Sequence, residues 1–69
     1  MIFEEAKFRQ FLWEEYGDEY WGIKSFPTPR EIPEFEDRSF DDWIERNVTA
    51  FKMVGHLCEF LAELQAGER

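Results

Sequence analysis

Between Ser39 and Ala66 apolar residues recur every three or four positions: Phe40, Trp43, Ile44, Val48, Phe51, Val54, Leu57, Cys58, Leu61 and Leu64. That is the spacing of one helical face, and it predicts a single long helix over the whole stretch. Ser39 stands just before the first apolar residue with Asp42 three positions on, so its hydroxyl suits an N-cap and the carboxylates face the positive end of the helix dipole. A rod of about 27 residues at 1.5 Å each is roughly 40 Å long. The rest of the chain is expected to pack along it.

A first, shorter helix is predicted from Ile2 to Tyr16, where Phe8, Phe11, Leu12 and Tyr16 share a face. Gly17 ends it in a left-handed cap, or the helix runs on to Tyr20 with Gly17 tolerated at about 1 kcal/mol. Trp13 and Trp21 fall to one side of the stripe and need cover from the linker, the long helix or a partner. From Gly22 to Arg38, Pro27, Pro29 and Pro33 prevent regular helix or sheet. Phe26, Ile32 and Phe35 are spaced through this segment as anchors for an extended strap. No two prolines are three apart, so the usual ligand pattern for proline-reading domains is missing. The fold class expected is all-α: one domain over residues 1–69, two antiparallel helices joined by the proline-containing strap, completed by dimerisation or by a partner.

The faces of the long helix give a reason for that completion. Glu45, Thr49, Lys52, His56, Glu59 and Glu63 form one narrow polar ribbon, and most of the remaining circumference is apolar. Met53 and Phe60 beside Leu57 and Leu64 widen the apolar surface beyond what one partner helix covers. Val48, Gly55 and Ala62 form a small row, and a mid-helix glycine costs about 1 kcal/mol unless something approaches the backbone there. Either the first helix fills that notch, or a second copy or another protein docks on Met53, Leu57, Phe60 and Leu64 around Gly55.

Composition narrows the function classes. The chain has 69 residues, with 8 Phe, 3 Trp and 2 Tyr, enough aromatic area to fold despite a formal charge of −8. All of the negative excess lies in residues 1–45, while 46–69 balance three acids against three bases. Such a field repels nucleic acid and anionic lipid and attracts basic surfaces, so neither direct nucleic-acid binding nor membrane binding is expected. A single cysteine excludes an internal disulfide. Glu4, Glu5, Lys7 and Arg9 interrupt the N-terminal apolar residues, and a soluble, cytoplasmic protein is expected.

The candidates for chemistry are weaker than their structural explanations. His56, Glu59 and Glu63 share the polar ribbon, but helical carboxylate metal sites use Glu-x-x-His contributions from two helices facing inward. His56 and Cys58, two apart, point to different faces and do not form a thiol–base pair; Cys58 is expected in the core with Ile44 and Phe51. Paired carboxylates such as Glu14 with Glu15 have no cleft to raise a pKa. There is no phosphate loop, serine nucleophile pattern or zinc-ligand spacing. No enzyme activity, cofactor or metal is expected.

The acidic cluster is the most suggestive feature. Glu31, Glu34, Glu36, Asp37, Asp41, Asp42 and Glu45 lie close together against Arg38 alone. Ordered carboxylates can occupy a groove that holds nucleic-acid phosphates, and Phe35 or Trp43 would bury at the centre of that contact. The sharpest expectation is a non-enzymatic inhibitor that mimics nucleic acid and blocks a basic surface of a protein partner. The other is an assembly subunit or adaptor, a homodimer being the form expected, that binds through the apolar face of the long helix. In general type the chain resembles small acidic helical inhibitors and adaptors, including those phages encode against host nucleases or defence complexes, with no motif specific to a family and no functional residue implied by the likeness.

Overall fold

A computed structural model describes residues 4–23, 25 and 27–68. Among these residues the structure is all-helical: α1 (Glu5–Gly22), a short 3-10 turn (Glu34–Glu36), α2 (Asp37–Asn47) and α3 (Ala50–Gln65). The expected helix start at Ile2 and the strap anchor Phe26 lie outside the described residues.

The long helix is two helices. Val48 is extended (φ −108°, ψ 120°), and Thr49 caps α3, its hydroxyl accepting the Lys52 amide at 3.2 Å. The Asn47 side chain donates to the Trp43 carbonyl at 2.8 Å. Three successive residues thus offer alternatives to a continued helix: Asn47 and Thr49 by side-chain bonds to backbone, Val48 by its β-branched stiffness and burial. α2 also begins earlier than expected, at Asp37 after the 3-10 turn, and Ser39 lies exposed inside it rather than capping it.

α1 runs through Gly17, the second of the two ends considered. A Cβ there would stand 3.1 Å from both the Thr28 methyl and the Trp13 indole, so glycine lets the strap close onto the helix. The strap is further tied by the Trp13 indole N–H to the Pro29 carbonyl at 2.9 Å and by Gln10 to the Arg30 carbonyl at 2.8 Å. Burial of α1 therefore spans a wide arc, with α2 and α3 on one side and the strap on the other. Trp13, off the main stripe, is 1% exposed and central.

Phe11, Leu12, Trp13, Tyr20, Phe40, Ile44, Val48 and Phe60 form the core. Most of its ring pairs meet edge-on or tilted, as their quadrupoles favour, with Trp13 and Phe40 at 4.9 Å and Phe8 and Phe60 at 5.2 Å, while Phe8 with Phe11 and Phe40 with Trp43 are stacked. No helix among the described residues is long and apolar enough to cross a membrane.

Candidate functional site

Had the helix continued through Val48, Phe51 and Cys58 would share the inward face of Phe40 and Ile44. The break turns α3 by about half a turn relative to that pattern. Phe60 becomes the buried residue of α3, with Met53 and Leu64 packed against the core. The opposite face is left outward: Phe51 is 90% exposed and Val54 62% exposed, with Gly55, Cys58 and Ala62 exposed beside them. At 3.6 residues per turn these five positions fall within roughly 100° of arc. The expectation that Cys58 and Phe51 are core residues is thereby corrected.

Of the residues expected for docking, Phe60 is fully buried, Met53 and Leu64 cover the core, and Leu57 is half-buried. Gly55 alone stands open, with nothing within 4 Å of a Cβ built on it. The notch is therefore not filled by α1. Met53 also lines an open groove of about 540 Å³ with Phe8, Leu12, Ile44 and Val48. Sequence reasoning missed Phe51, Val54 and Cys58 as surface residues; the signal was Asn47-Val48-Thr49, a helix stop followed by an N-cap.

The structure disperses the acidic cluster. Glu36 is buried and accepts the Tyr20 hydroxyl at 2.5 Å. Asp41 is paired with Arg9, whose guanidinium reaches it at 2.8 Å and is held above its ordinary pKa by that bond. Asp37 is half-buried, whereas Glu31, Glu34, Asp42 and Glu45 are exposed. On the outer surface of α2, Asp42 lies four residues from both Arg38 and Arg46, so charge alternates there. Phe35 is 76% exposed and does not anchor the strap, while Trp43 packs against Tyr16, Tyr20 and Phe40.

His56 does not face water with the polar ribbon. It is half-buried against Phe11 and Tyr16, with the Tyr16 hydroxyl 2.5 Å from its Nε2 and Glu59 4.0 Å from its Nδ1. Among the described residues no group of three or more His, Cys, Asp or Glu side chains is placed to hold a metal ion.

Burial, and then the charges of Glu15, Glu19 and Glu59, push the Tyr16 phenol above its ordinary pKa. The folded protein therefore holds this proton more tightly than the unfolded chain. The stabilisation is complete below the ordinary phenol value and is lost as pH rises through the raised one. Urea midpoints measured between about pH 8 and pH 11 should fall more steeply for the wild type than for Tyr16→Phe; parallel curves would exclude this residue as the cause.

No protein family, curated protein or solved structure matches the chain.

Proposed function

We propose that this protein is a non-enzymatic binding protein, an assembly subunit or adaptor that docks through the outward face of α3. The observation that carries the reading is Phe51, 90% exposed at the head of a continuous apolar face on a regular helix. Scattered surface apolar residues are ordinary, but a contiguous face of this kind marks an interaction site. An aromatic on a rigid helix is a suitable central anchor, since little side-chain entropy is lost on burial.

The test compares partner retention by immobilised wild type, Phe51→Glu and Phe35→Ala. Phe51→Glu is expected to weaken retention by at least about thirtyfold, the effect of losing a hot-spot residue. Phe35→Ala should retain the partner. Retention that survives Phe51→Glu would refute docking through α3.

A second reading is favoured by Phe35, 76% exposed on the 3-10 turn with Glu31 and Glu34 exposed nearby. In that reading the acids compete with nucleic acid for a basic protein surface. Association would be salt-sensitive, and Phe35→Ala rather than Phe51→Glu would abolish it.

A further inference from the structure

We infer that the occupant of the outward face of α3 is a second copy of the same helix, packed antiparallel with Gly55 opposite the second copy's Cys58. The inference rests on the docking role of this face and adds the identity and register of what covers it.

Shape supports the register. When Gly55 faces Cys58, the same symmetry sets Phe51 against Ala62 at both ends of the contact. The largest exposed side chain meets a small one, and the two smallest central positions meet each other, which permits close approach of the helix axes. A parallel pair would instead stack Phe51 on Phe51 and leave Gly55 facing Gly55.

Charge supports it as well. In an antiparallel two-fold pair the same flank of each helix meets, and exposed Lys52 and Glu59 share one flank of α3. The register brings Lys52 of one copy to within two residues, about 3 Å along the axis, of Glu59 of the other. Symmetry repeats the pair. The chain carries −8 overall, yet α3 holds only Lys52, Glu59 and Glu63 besides His56. Two copies meeting here keep most of their carboxylates apart, and charges beyond about 10 Å are screened at 0.1 M salt.

Gly55 supplies a direct test. Because open space surrounds it, Gly55→Leu fits the monomer and should raise its helix stability while holding two helix axes apart. Sedimentation equilibrium from micromolar to millimolar protein is expected to give a mass of twice 8.4 kDa for wild type and 8.4 kDa for Gly55→Leu. Circular dichroism should show equal or higher melting temperature for the variant.

A second measurement does not depend on that substitution folding. Wild type is mixed with Gly55→Cys/Cys58→Ser and treated with oxidised glutathione. Disulfide-linked pairs joining position 55 of one copy to Cys58 of the other are expected in excess over links between like positions. A monomeric wild type, a dimer indifferent to Gly55→Leu, or preferential linkage of like positions would each overturn the proposal. If wild type is monomeric while partner retention still requires Phe51, the second copy is refuted and docking through α3 stands. If wild type is monomeric and partner retention survives Phe51→Glu, both are refuted.

Discussion

Trp13→Ala is expected to leave the protein largely unfolded or to lower its melting temperature by more than about 15 °C. Trp13 is 1% exposed, lies edge-on to Tyr20, Trp21 and Phe40, and holds the strap through the Pro29 carbonyl. Truncating a buried tryptophan costs about 3–5 kcal/mol in lost transfer and cavity energy. Removing the indole also leaves the Pro29 carbonyl without that donor and opens a void beside Gly17, where strap and helix are in contact. Domains have only about 5–15 kcal/mol in total, and one this small buries little surface with which to compensate. Thermal melts followed by circular dichroism decide the matter. A shift of a few degrees would mean that the strap does not depend on the indole.

Phe60→Ala should have a comparable cost, about 3–5 kcal/mol, but a different distribution. Phe60 is fully buried between Phe8 and Phe11, with ring centroids at 5.2 and 5.8 Å, and is the sole buried residue of α3 among those described. Its loss removes the principal attachment of α3 to α1, whereas the Trp13 cluster of α1, strap and α2 keeps its contacts. Hydrogen exchange is therefore expected to show the amides of 50–65 losing protection first, with tryptophan fluorescence still native-like. In the monomeric Gly55→Leu background, where no second copy covers the outer face, Phe51→Ala, nine residues earlier on the opposite face, should change stability by no more than about 0.5 kcal/mol, as surface substitutions do. If Phe51→Ala there destabilises as much as Phe60→Ala, the assignment of inner and outer faces of α3 is wrong.

The contrast between these two phenylalanines shows how much of the site was legible beforehand. Both are apolar, both sit in a stretch of helical periodicity, and a continuous helix assigns Phe51 to the core and Phe60 to a secondary face. The register was misread at Val48 and Thr49, where a cap and an extended residue interrupt the count. Trp13, off the stripe, finds the cover it needs in the strap and α2. A one-sided stripe assumes one partner for a helix, and α1 has two, because Gly17 admits the strap on the far side. The acidic cluster was legible as composition but not as a surface, since Glu36 points inward to Tyr20 and Asp41 is held by Arg9.

Helical character, the proline strap, the uneven charge and the surplus of apolar area over available cover are properties of local chemistry, and the sequence by itself determined them. Which apolar residues are buried, and which carboxylates remain exposed, was decided only by the tertiary structure. Two non-helical residues between α2 and α3 rotate every side chain that follows, and the sense of that rotation depends on what α1 and the strap offer to pack against.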